Sequence, residues 1–161
     1  MSRLAIAALA LLISGASAAT APQVDLVQVD KSERTLSLMA NGKLVRRYSI
    51  VLGRSPEGAK TREGDRRTPE GRYVLDFKKA DSSYYRAIHV SYPNAQDRAR
   101  ARTLGVVPGG AIMIHGQPNG RGWNNDTLQY DWTDGCIALS NADMTELWNL
   151  VQVPTPIEIV P

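Results

Sequence analysis

Thr35-Leu36-Ser37-Leu38-Met39, then Asn41-Gly42, then the run from Leu44 to Leu52 form the stretch on which the fold turns. Apolar and polar side chains alternate in the first run, as a strand with one buried face requires. Asn-Gly supplies the two positive φ angles of a tight two-residue turn, so the stretch predicts a β-hairpin. Upstream, Val24 to Val29 alternates in the same way and predicts a companion strand.

Downstream, residues 53–69 are rich in Gly, Pro and charge and show no periodicity, which predicts a long surface loop. Loops of that length in compact domains tend to carry function. Strands are expected at Arg72 to Phe77 and at Ala87 to Tyr92, where Pro93 ends the pairing for want of an amide donor. Ala95 to Leu104 reads as a helix whose mixed Asp and Arg content faces solvent. After Pro108-Gly109-Gly110, the apolar run Ala111 to Ile114 predicts a central strand that delivers His115 at its end. A polar loop from Gln117 to Asp131 then leads to Trp132-Thr133-Asp134-Gly135-Cys136. Ser140 and Asp143 have the spacing of a capping box, and Met144, Leu147, Trp148 and Val151 share one face of the helix that follows. Pro156 to Val160 closes the chain as a strand, making the fold class mostly β with a few helices (α+β).

A chain of 161 residues, 43% hydrophobic, suits one domain with a substantial core. Ser2 and Arg3, the apolar run Leu4 to Ile13 and the small residues Ala16-Ser17-Ala18 have the layout of a secretory signal. This assigns 1–19 to a signal peptide and 20–161 to the working domain. An apolar run of about ten residues is well short of the ~20 that span a bilayer, so no membrane anchor is expected in the mature form. The expected location is exported, in the periplasm or cell envelope. A net charge of +3 is compatible with an anionic polymer such as the cell wall, and no basic motif interleaved with aromatics points to nucleic acid.

The single cysteine, Cys136, cannot close an internal disulfide. One reading is a small buried hydrophobe, since free Cys is among the most buried residue types. The other is a nucleophile: His115, at a strand end, has the chemistry to take the thiol proton, and an imidazolium stabilises the thiolate. Gly135 is either an ordinary turn glycine or the place where a substrate carbonyl comes close, with the amides of Gly135 and Cys136 donating to an oxyanion. His89 lies in an alternating strand, with two roles open to it: lining a cleft or resting in a satisfied site. Trp132 and the Tyr84-Tyr85 pair are open in the same sense between substrate contact and packing, and packing is the default for Trp123 and Trp148. His115, His89 and Cys136 lack the short-range pairing of zinc ligands, so neither a metal nor a cofactor is expected.

His115-Gly116, a spacer ending at Trp132, and Thr133-Asp134-Gly135-Cys136-Ile137 together resemble the signature of the L,D-transpeptidase (YkuD-type) catalytic domain. Thr68-Pro69-Glu70-Gly71, Val51-Leu52-Gly53, Ile88-His89-Val90 and Gly109-Gly110-Ala111-Ile112-Met113-Ile114 extend the similarity over most of the chain after the signal. The resemblance implies an L,D-transpeptidase-like β-sandwich and a thioester formed by Cys136 on a peptidoglycan stem peptide. His115 would be the base and the backbone carbonyl of Gly116 its orienter, with Asp134, Thr133, His89 and Trp132 toward the substrate. It further implies cell-wall crosslinking or attachment, with consequences for cell shape. Asp134 stands where many members have His, and Ala138 where many have Arg or Asn. An acid beside the thiol opposes its ionisation. Asp134 is therefore read either as a turn-stabilising side chain or as the contact for a cationic substrate group. The divergence keeps two alternatives in view: a peptidoglycan L,D-peptide hydrolase of the same fold, and a non-catalytic wall-binding module. An enzyme predicts a thiol alkylated faster than a free thiol at mildly acidic pH, and the module predicts a resistant one.

Overall fold

The computed structural model describes residues 22–120 and 125–161; the signal expected over 1–19 and the packing expected of Trp123 fall outside them. The opening hairpin forms as its sequence predicts. Strand β2 (Thr35–Ala40) and strand β3 (Lys43–Ser49) pair antiparallel, and Asn41 and Gly42 between them take φ of 50° and 72°. Strand β1 (Leu26–Asp30) pairs with β2 on its other side, with Val27 and Val29 fully buried and Gln28 turned outward. The remaining strands are β4 (Gly71–Lys79), β5 (Ala87–Val90), β6 (Met113–His115), β7 (Ile137–Ala138) and β8 (Thr155–Val160). The two α-helices are α1 (Ala95–Leu104) and α2 (Asn141–Leu150).

All eight strands belong to one sheet ordered β3-β2-β1-β8-β4-β5-β6-β7. The sheet curls until its two edges meet. The chain leaving β3 reaches β7 at Val51, whose amide and carbonyl exchange two 2.9 Å hydrogen bonds with Ala138. Curling in this way pairs an edge that would otherwise present free amides and carbonyls. The facing walls enclose a core in which Leu36, Leu38, Leu75, Ile88, Ile114, Ile137 and Ile157 meet Met144, Leu147 and Val151 from the α2 segment. The mostly-β class with two helices agrees with the sequence reading, and the two layers expected of a sandwich are walls of one sheet.

Several boundaries differ for local reasons. The strand expected from Ala111 begins at Met113, because Ala111 takes φ of 54° and breaks the extended run. The strand expected to reach Tyr92 ends at Val90, where the Tyr92 amide turns back 2.6 Å onto the Val90 carbonyl. Helix α2 begins with a partial capping box: Ser140 Oγ accepts from the Asp143 amide at 3.0 Å and donates to its carboxylate at 2.7 Å. The full reciprocal box caps α1 instead, between Asn94 and Asp97. The long loop after Gly53 is organised by buried charges. Lys31 reaches the Thr68 carbonyl at 3.3 Å and Glu70 at 2.6 Å, and Asp65 gathers Lys60 and the amides of Thr61, Arg62 and Arg67.

Candidate active site

Strands β6 and β7 run parallel, with Ile114 opposite Ile137 and His115 opposite Ala138. His115 ends β6, and Cys136 immediately precedes β7. Both line one cavity of about 250 Å³, together with Arg54, Tyr84, Trp132 and Asp134. Roomier hollows lie elsewhere, one of about 600 Å³ beside Arg62 and Arg67 and one of about 320 Å³ beside Asp30 and Arg47, and neither holds the thiol.

His115 is 3% exposed, and its Nδ1 lies 2.6 Å from the carbonyl oxygen of Gly116. A carbonyl only accepts, so Nδ1 carries the proton and Nε2 keeps its lone pair for a second partner. Burial pushes the imidazole pKa down, and the Gly116 carbonyl opposes that shift as the smaller effect, so the ring favours its neutral form. Tyr84 covers it with ring centres 4.4 Å apart, and Trp132 approaches edge-on at 5.8 Å. Gly116 has to be glycine: a Cβ there would lie 2.6 Å from both the Tyr85 carbonyl oxygen and Asn141 Oδ1.

Cys136 is half-buried, and its Sγ lies 3.7 Å from the Ala111 carbonyl oxygen, the acceptor that the unusual Ala111 backbone turns toward it. Burial pushes the thiol pKa up, a backbone hydrogen bond from Met113 lowers it, the Asp134 charge raises it and Lys60 lowers it. The net direction is upward, because desolvation outweighs the favourable contacts.

Gly135, at φ 129°, could carry no side chain, since a Cβ would meet the Arg67 carbonyl oxygen at 2.7 Å. Its amide donates to Thr133 Oγ1 at 3.1 Å. That bond takes the Gly135 amide from the oxyanion role expected of it and leaves the glycine its close approach. Thr133 is 4% exposed and donates its hydroxyl to the Cys136 carbonyl at 2.7 Å, so it staples the loop that carries the thiol. The turn-stabilising role considered for Asp134 belongs to this threonine. The Asp134 side chain is 77% exposed and points to Arg54 at 3.4 Å and Arg66 at 3.9 Å, so two guanidinium groups already face the carboxylate expected to meet a substrate cation. Trp132 lines the cavity, and its indole Nε1 is buried without a partner among the described residues. His89 is not brought in. It sits opposite Met113, stacks on Phe77 at 4.6 Å and places Nδ1 2.7 Å from Asp76.

Three contributors escaped the sequence reading. Asp131 ties the loop before Trp132 to the other edge of the sheet, accepting from Arg34 Nη2 at 2.7 Å and from the Leu52 amide at 2.8 Å. Arg54 hangs its amide on the Thr133 carbonyl at 3.0 Å and lines the cavity. Ala111 supplies the carbonyl beside the thiol. Only the glycines before Ala111 hinted at an unusual backbone. The other two are long-range partnerships with no local pattern.

A neutral imidazole and a thiol in one small cavity can carry out acyl transfer by proton removal and attack. The model of the L,D-transpeptidase catalytic domain family (YkuD) matches residues 25–159. YafK of Escherichia coli (strain K12), provisionally named an L,D-transpeptidase, is 34% identical over 131 residues, covering 78% of this chain and 46% of its own length. The crystal structure of Pgp2 from Campylobacter jejuni, a helical cell shape determining protein, superposes with a TM-score of 0.63 at 30% identity, over 86% of this chain and 48% of that one. An L,D-transpeptidase from Xylanimonas cellulosilytica DSM 15894 shares the fold at a TM-score of 0.57 and 19% identity, over 86% of this chain and 61% of that one. The chain thus spans about half the length of YafK and of Pgp2. With the family match running from the first strand into the last and the Cys–His cavity inside it, the chain belongs to the L,D-transpeptidase catalytic domain (YkuD) family.

Proposed function

We propose that this chain is an exported cysteine acyltransferase acting on peptidoglycan stem peptides. The observation that carries this reading is the cavity that Cys136 and His115 both line, with His115 Nδ1 bonded to the Gly116 carbonyl and Nε2 without a hydrogen-bond partner among the described residues. His115 Nε2 takes the Cys136 proton as Sγ attacks the carbonyl between diaminopimelate and D-alanine, and the Cys136 amide donates to the oxyanion. The C–N bond breaks, D-alanine leaves with the proton from His115, and a thioester remains. An amine gives the crosslink or attachment and water gives hydrolysis; in either case His115 removes the acceptor proton and the sulfur regains it. Burial pushes the Cys136 thiol pKa up, so His115 has to take the proton for the sulfur to attack. Residues 1–19 direct export to the periplasm or cell envelope and 20–161 do the chemistry, with a role in wall crosslinking and cell shape.

The test is the intact mass of the mature protein after incubation with a purified tetrapeptide muropeptide, beside Cys136→Ala. An adduct of muropeptide less D-alanine on the unmodified chain alone supports the reading. Unchanged muropeptide and no adduct on either protein would favour the non-catalytic wall-binding module.

A further inference from the structure

Among the cavity-lining residues, Arg54 is the one with a permanent positive charge, since burial holds His115 toward neutrality. Its backbone is fixed to the nucleophile loop. The Arg54 amide bonds the Thr133 carbonyl at 3.0 Å, and Gly53 bridges Thr133 beside it. A Cβ at Gly53 would sit 2.1 Å from the Arg66 carbonyl oxygen and 3.0 Å from Gly135 Cα, so the backbones that carry Arg54, Arg66 and Cys136 are packed against one another. The guanidinium meets one carboxylate among the described residues, Asp134, at 3.4 Å with the acid 77% exposed. A contact that long and that open to water is weak and easily exchanged. Arg66 approaches the same Oδ1 from 3.9 Å, so Asp134 keeps a cationic neighbour when Arg54 turns away.

We propose that Arg54 reads the C-terminal carboxylate of the residue released from the stem peptide, and that Asp134 competes with the substrate for that guanidinium. This rests on the acyltransfer reading above and specifies which part of the substrate the cavity selects. In a peptide ending in D-alanine the carboxylate lies one residue beyond the scissile carbonyl, so a small cavity around the thiol has to accommodate it. Arginine suits it because its planar fork matches a carboxylate with two parallel hydrogen bonds. On binding, Arg54 exchanges Asp134 for the substrate, Asp134 stays by Arg66, and stem peptides whose end is amidated or extended are disfavoured.

The test compares the unmodified chain and Arg54→Gln on two muropeptides, a tetrapeptide with a free C-terminal carboxylate and its carboxamide, following adduct formation by mass. The expected result is a preference for the carboxylate of about tenfold or more, lost in Arg54→Gln through KM with little change in kcat. Arg54→Lys should restore part of it, and Asp134→Asn should lower KM for the carboxylate form. If Arg54→Gln keeps the preference, or slows both forms equally, the proposal is wrong although acyl transfer stands. If neither muropeptide acylates the unmodified chain, the acyltransfer reading fails on its own. Calorimetric binding of the two peptides to Cys136→Ala, with and without Arg54→Gln, then decides: carboxylate preference that depends on Arg54 upholds the proposal, and its absence overturns it.

Discussion

The carbonyl of Gly116 accepts a 2.6 Å hydrogen bond from Nδ1 of His115, so one residue sets the tautomer of its own neighbour. The carbonyl stays in place because Gly116 is wedged between Tyr85 and Asn141. Gly116→Ala should cost about 1 to 3 kcal/mol through overpacking. It should slow acylation by about 10²-fold through a displaced imidazole. Thermal melting and adduct formation measured on the same preparation check both. A variant that melts lower while acylating normally would show that the carbonyl does not orient the ring.

The thiol should titrate above an ordinary cysteine. Alkylation of Cys136 by iodoacetamide is expected to rise with pH to a midpoint above 9.0, and Asp134→Asn should move that midpoint down by removing a negative neighbour. A rate already on its plateau near neutral pH would mean a preformed thiolate, and proton removal would then precede attack.

Asp131 holds the segment before Trp132 to Arg34 and to the Leu52 amide. Asp131→Ala leaves a half-buried guanidinium and an amide without their acceptor, for an expected loss of about 3 kcal/mol. Urea unfolding of Asp131→Ala, Arg34→Ala and the double variant should give a coupling energy of about 1 to 3 kcal/mol. Strict additivity would mean that the pair does not tether the loop.

Asp65 accepts from Lys60 and from three backbone amides, and these bonds outweigh its burial to bring its pKa from 3.8 down to about 2. A carboxylate with a depressed folded pKa adds stability above its unfolded pKa and loses it as pH falls through the folded one. The contribution should be complete above about pH 4 and gone below about pH 2. Asp65→Asn should lower stability at neutral pH by about 2 kcal/mol and flatten the acid limb in that window. Chemical unfolding at several pH values reads this directly, and parallel curves for the two proteins would contradict it.

Much of the site was legible locally. The strand that ends at His115, the Gly135-Cys136 turn and the Gly116 orienter each follow from short-range pattern or from the resemblance those residues carry. The oxyanion role expected of the Gly135 amide was not borne out, because the hydroxyl two residues earlier takes that amide. Nor did the turn role considered for Asp134 hold, since Thr133 fills it. His89 shows a strand side chain satisfied by Asp76 and Phe77 instead of reaching the cavity. Its alternating neighbours were compatible with either outcome.

By itself the sequence determined the period-two strands, the Asn41-Gly42 hairpin and both helices. Each depends on neighbours within a few positions, where backbone geometry and alternation suffice. Tertiary structure alone decided that the sheet curls to join Val51 to Ala138, that Arg34 meets Asp131, and that Arg54 enters the cavity. It also decided that the thiol pKa is pushed upward, because desolvation depends on everything packed around Cys136 and no local pattern encodes it.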